Sequence, residues 1–151
     1  MSLAKTQKIR ALIYALAFVA IAGIFMSWDK QRLDDDFDKL YFLLRTARLD
    51  ALNMDTVIIV KFNGSTVSVF NQKDLSATTT TTIPLITQVD YETHMGNDMI
   101  VYTWRGTSDY NRRVHGGEIV LKSLLGFRRY IHVNCNGMVR EGRYPENESP
   151  H

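Results

Sequence analysis

"RALIYALAFVAIAGIFMSWDKQRLDDDFDKLYFLLRTARLDALN", residues 10–53, changes character part-way along with no proline to interrupt it. Residues 11–28 carry no charged side chain. As a helix rising about 1.5 Å per residue they would cover roughly 27 Å, close to the ~30 Å hydrocarbon core of a bilayer. From residue 29 onward charged and apolar side chains are interleaved. Leu33, Phe37, Leu40, Leu44, Ala47 and Ala51 recur at alternating steps of four and three. That spacing lines one face of a helix and leaves Asp34, Asp35, Asp38, Arg45 and Arg48 mainly elsewhere. The sequence therefore predicts one helix from about residue 11 to about residue 52, roughly 60 Å long, with its first half in lipid. Its second half packs on a domain through those six residues.

Two other readings of residues 11–28 compete with the retained membrane helix. Taken only to Val19, the stretch matches the apolar region of a secretory signal, and Ala20-Ile21-Ala22 offers a cleavage site before Gly23. Cleavage there would leave "GIFMSW" as an apolar mature terminus, although the sequence beyond it continues in helical register. A buried core helix is the other alternative. With Lys5, Lys8 and Arg10 before the span and acidic residues after it, the retained helix predicts a single pass through a membrane. The N-terminus is then cytoplasmic and the remainder of the chain lies outside.

Charge is unevenly spread around a net +2. Residues 29–104 hold 7 basic against 11 acidic side chains, and residues 105–143 hold 8 basic against 3 acidic. A chain of 151 residues has room for one domain with a compact core after the span. The expected organisation is a basic leader (1–10), the span (11–28), the amphipathic continuation (29–53), an extracytoplasmic β domain (54–143) and a tail (144–151). A single cysteine, Cys135, excludes an internal disulfide framework and any multi-cysteine metal site.

After Asn53 the apolar period shortens to two. "TVIIVKF" and "TVSVF" flank Asn63-Gly64-Ser65, a hairpin signal because Asn-Gly takes positive φ readily. The run Thr78 to Thr82 reads as a polar connection or as an edge strand. Four further strands are expected in "IPLITQVDYE", "MIVYTWRG", "GEIVLKS" and "FRRYIHVNC", giving an α+β chain: a long helix followed by about six antiparallel strands. In the last strand, alternation puts Ile131, Val133 and Cys135 on one face and Tyr130, His132 and Asn134 on the other. Cys135 thus reads as a core residue, and His94, His115, His132 and His151 show no zinc spacing. The chain lacks the metalloprotease, hydrolase, nucleotide-loop and dinucleotide motifs. Asp34, Asp35, Asp36 and Asp38 fan around the helix as a solvated face or a contact for a neighbouring chain's positive charge. No catalytic residue, cofactor or metal is expected.

Two stretches carry a resemblance. "LLRTARLDALNMDTVIIVKF" resembles a helix end in which an alanine-arginine pair (Ala47, Arg48), a variable residue (Leu49), an acidic residue (Asp50) and an alanine (Ala51) lead into the first strand. "WRGTSDYNRRVHGGEIVLKSLLGFRRYIHVNCNGMVREGR" is similar to a closing pattern: an aromatic strand ending near Gly106, a strand like "GEIVL", and a hydrophobic strand running into Asn-Gly and a basic end. Both patterns belong to the minor pilins and pseudopilins of the GspH/FimT type, from type II secretion systems and type IV pili. The resemblance spans most of residues 11–143. It departs in one place, since the family's leader glycine has no counterpart before Ala11 and its glutamate five residues into the apolar helix is absent.

The resemblance implies a structural subunit, not an enzyme. Its partners would be other pilin-like subunits through the N-terminal helix, the inner membrane and secreted cargo, with loops such as Thr78 to Thr82 and Tyr110 to Arg113 on display. Two alternatives keep the fold. One is an anchored nucleic-acid-binding minor pilin for DNA uptake, in which Arg105, Arg112, Arg113, Arg140 and Arg143 meet phosphates, with Arg128 and Arg129 near them and Tyr110 and Tyr144 stacking on bases. Arg128 and Arg129 are adjacent on a strand and point to opposite faces, so the seven arginines cannot form one patch. The other is an anchored periplasmic accessory domain outside any filament.

Overall fold

The protein is described as a computed structural model over residues 3–71, 81–85, 87–92, 99–103, 117–134 and 136–142. One helix, α1 (Leu3–Asn53), runs unbroken for 51 residues, about 77 Å at the usual rise. Its side chains at positions 11–28 are exposed, Ala22 only partly. From Asp29 the same helix is half sunk into the β domain.

The helix stops in a defined way. The Met54 N–H donates to Asp50 O at 2.9 Å and the Thr56 N–H reaches back to Ala51 O at 3.2 Å, with Asp55 at φ 49° between them. This six-to-one closure with a left-handed residue is the Schellman pattern. It turns the chain into β1 (Ile58–Asn63).

Eight short strands follow among the described residues: β1, β2 (Thr66–Asn71), β3 (Thr81–Pro84), β4 (Gln88–Glu92), β5 (Met99–Tyr102), β6 (Gly117–Lys122), β7 (Arg128–Val133) and β8 (Val139–Gly142). They form two four-stranded sheets, ordered β3-β2-β1-β5 and β4-β6-β7-β8, and every pairing is antiparallel. In the first hairpin Asn63 pairs with Thr66 and Gly64 takes φ 59°. The positive φ therefore belongs to the glycine alone, at the first position of a two-residue loop, and Asn63 stays in the strand.

The α+β architecture is as expected, with eight strands among the described residues where about six were read from the sequence. The stretch read as one strand, "IPLITQVDYE", is two: β3 pairs with β2 in the first sheet, and β4 pairs with β6 in the second. The chain changes sheets at Leu85 and Thr87, where the Leu85 N–H donates to Ser65 O at 2.7 Å. A continuous strand cannot belong to two sheets without such a break. The eighth strand, β8, returns along β7 through a turn whose Asn134 side chain accepts from the N–H groups of Asn136 and Met138. Of the threonine run, Thr81 and Thr82 lie in the edge strand β3, and Thr78 to Thr80 lie outside the described residues.

A single core joins the helix to both sheets. It collects Leu33, Phe37, Leu40, Leu43, Leu44, Ala47 and Ala51 from α1, Ile58, Val60, Phe62, Val67, Ile100 and Tyr102 from the first sheet, and Ile119, Leu121, Ile131, Val133 and Val139 from the second. The alternation along β1, with Ile58, Val60 and Phe62 inward and Lys61 and Asn63 outward, is what one wet face requires.

Candidate assembly surface

The lower half of α1 has no protein partner among the described residues, so its chemistry is that of an apolar rod. Leu12, Ile13, Tyr14, Leu16, Phe18, Val19, Ile21 and Ile24 are each more than half exposed. By length and composition the helix can cross a membrane. An exposed apolar surface on this scale requires lipid or other apolar helices around it. At its end, the Arg32 guanidinium lies 3.3 Å above the Trp28 ring, which itself tilts against Phe25.

The upper half is seated by apolar contact and by polar clamps that include Asp29, Asp36 and Arg129. Leu33, Phe37, Leu40, Leu44, Ala47 and Ala51 are at most 3% exposed. Asp29 is buried where the loop between β6 and β7 crosses the helix, and accepts from the Leu125 N–H at 3.1 Å. The Ser123 hydroxyl, the Leu125 and Leu124 N–H groups and nearby Arg32 outweigh burial and hold this carboxyl below its usual range.

Asp36 is the second clamp and is wholly buried. One carboxylate oxygen accepts from the Thr87 N–H at 2.9 Å and the Thr87 hydroxyl at 3.0 Å. The other oxygen meets Lys39 Nζ at 3.3 Å. Asp36 therefore belongs to no solvated face, and the expectation for the acidic run fails at this residue. Three positions beyond Leu33, it falls on the core side of the helix.

Arg129 is the third clamp. Its guanidinium binds Asp34 at 2.6 Å and Glu141 at 2.9 Å and lies 4.2 Å from the Phe37 ring. This arginine fastens helix to sheet and is not offered to phosphate. The sequence signal that could have found it was the opposite-face pairing of Arg128 and Arg129.

Of the arginines considered for phosphate contact, Arg105, Arg112, Arg113 and Arg143 lie outside the described residues, as do Cys135, Tyr110, Tyr144, His94, His115 and His151. Arg140 is exposed on β8. It lines a cleft of about 250 Å³ together with Tyr41, Arg45, Arg48, Leu49 and Met138, two of them helix arginines that the sequence reading had not placed there. Tyr102 is buried with its hydroxyl unpaired among the described residues. Burial pushes its phenol up, opposed in part by Arg48. No group of three or more potential metal ligands forms among the described residues.

This geometry has solved counterparts. The type IV minor pilin FimU of Pseudomonas aeruginosa superposes with a TM-score of 0.59 at 13% identity, over 73% of this chain and 92% of that one. A second crystal form of FimU gives 0.60 at 12% identity, over 76% and 90%. The minor pseudopilin EpsH from the Type 2 Secretion System of Vibrio cholerae gives 0.52 at 14% identity, over 69% and 90%. The fold is pilin-like. No protein-family model matches the chain, and no curated protein sequence does either. At this identity the pilin-like fold is shared while the side chains on its surface are this chain's own.

Proposed function

We propose that this chain is a pilin-like structural subunit that helps assemble a type II secretion pseudopilus or a type IV pilus, and that it makes and breaks no covalent bond. One observation carries the reading. A single unbroken helix is bare and apolar through residues 11–28 and seated in a β domain from Asp29 onward. In the waiting state the bare half is a single-pass inner-membrane anchor with the β domain on the periplasmic or extracellular side. In the assembled state the equivalent apolar helices of other pilin-like subunits replace lipid around it. The loops and exposed strand edges of the β domain then face partner subunits or secreted cargo.

The test is cross-linking in native membranes, purification in detergent and identification of partners by mass spectrometry, with the N-terminus read from the same sample. Recovery of other pilin-like subunits supports the proposal. Recovery of the chain alone with residues 11–28 intact favours an anchored accessory domain, and a terminus at Gly23 would mean the stretch is only a signal.

The arginine-lined cleft at Arg45, Arg48 and Arg140 favours a second reading, contact with nucleic acid by the same anchored domain. It requires binding to short DNA that weakens steeply with salt. Absence of binding at low salt removes it.

A further inference from the structure

The loop between β6 and β7, residues 123–127, marks the end of the β domain nearest the apolar half of α1. Its Leu125 N–H is hydrogen-bonded to Asp29, the residue that follows Trp28 at the end of the uncharged stretch. Farther from that loop, Arg129 meets Asp34 and the Tyr41 hydroxyl donates to Val139 O at 3.5 Å. The domain therefore climbs α1 away from residue 29. Two adjacent leucines occupy the loop, Leu124 at 78% and Leu125 at 45% exposure, and neither joins the core.

The loop is held firmly. The Ser123 N–H donates to Phe127 O, the Gly126 N–H donates to Ser123 O, and the Phe127 N–H donates to the Ser123 hydroxyl oxygen. With Asp29 also holding its backbone, the loop presents both leucines outward. Its flanks are the cross-strand pair Lys122 and Arg128, both exposed and basic. Beside it on the helix stand Trp28, half exposed, and Arg32 over its ring. Aromatic and basic side chains together are the chemistry of a membrane–water boundary.

We propose that this loop is a second membrane contact. With residues 11–28 in the bilayer, Leu124 and Leu125 enter the boundary between headgroups and acyl chains beside Trp28, and Lys122 and Arg128 lie over anionic headgroups. A helix alone leaves the domain free to rotate about its axis, whereas a helix and a rigid loop fix which face of the domain a neighbouring subunit meets. This inference rests on the membrane-anchored reading above.

The test places the full chain, with Cys135→Ser, in vesicles of phosphatidylcholine and phosphatidylglycerol. A fluorophore is attached in turn at Leu124→Cys, at Phe18→Cys within the span and at Asn136→Cys at the far end of β7, and nitroxide-labelled lipids serve as quenchers. Lipid quenching at positions 18 and 124 but not at 136, weakening at 124 when phosphatidylglycerol is omitted, is the expected result. Quenching at 18 without quenching at 124 overturns the loop contact and leaves the anchor standing. Loss of quenching at position 18 as well would sink the anchored reading and the loop contact with it.

Discussion

Asp36 places a carboxylate inside the seat of α1, and its partners explain how the fold tolerates it. Both atoms that Thr87 offers, N–H and hydroxyl, converge on one oxygen, at the point where the chain leaves one sheet for the other. Replacing Asp36 with alanine strands these donors and opens a void, and should cost about 3 kcal/mol. Denaturant unfolding in detergent would read this as a lower midpoint. Asp36→Asn keeps the shape and one acceptor oxygen, so it should lose less; an equal loss in both variants would contradict the role given to Thr87. Asp29 makes a pH-dependent contribution. Its folded carboxyl is held below the ordinary value, chiefly by the Ser123 hydroxyl. The stabilisation is therefore fully present above the unfolded value, near about 3.9, and is lost as pH falls through the lower folded value. Comparing wild type with Asp29→Asn by thermal unfolding should show a gap at neutral pH that closes on acidification below about pH 4. A gap independent of pH would show that the carboxylate charge is not what the loop reads.

At the scale of elements, the two faces of α1 differ in what they contribute to stability. Leu44 is fully buried and Phe42, two residues earlier, is 72% exposed. Leu44→Ala should cost about 3 kcal/mol, whereas Phe42→Ala should change stability by no more than about 0.5 kcal/mol. If Phe42 instead proved as costly as Leu44, the assignment of faces would be wrong. The helix end gives a gain. Asp55 sits at φ 49°, where a side chain costs about 1 kcal/mol relative to glycine, so Asp55→Gly should raise the unfolding midpoint. The helix and the first hairpin were legible because each repeats its own period over many residues. The Leu33-to-Ala51 stripe has helical spacing and "TVIIVKF" alternates. The change of sheet at Leu85 and Thr87 was not legible, because "IPLITQVDYE" is a continuous run of strand-forming residues and its break is made by partners far along the chain, Ser65 and Asp36. The burial of Asp36 was hidden for a related reason. Composition marks an aspartate in an acidic run as solvated, and only the position of Thr87 shows what receives it. Strand β8 was missed because four residues after a turn carry too little period to read.

At the scale of the molecule, the two halves of α1 belong to different solvents. Among the described residues, the contacts that seat the β domain begin at Asp29 and Leu33 and include none of residues 11–28, whose aromatic contacts stay on the helix itself. The described packing of the domain therefore draws nothing from the bare half, which under the proposed function sets where the molecule resides. Removing residues 1–28 should leave a chain that needs no detergent and unfolds in one cooperative transition, with a midpoint within about 4 °C of the full-length protein, the shift that about 1 kcal/mol produces in a domain of this size. The same truncation should abolish retention in membranes. Under the proposed function it should also abolish recovery of pilin-like subunits by cross-linking, because the apolar surface proposed to exchange lipid for neighbouring helices has gone. Calorimetry on the truncated chain and fractionation of cells expressing it would check both halves of the expectation. A truncated chain that unfolds without cooperativity would mean that the apolar half also braces the domain. One that stays with the membrane would mean that other surfaces, Leu124 and Leu125 first among them, hold it there unaided.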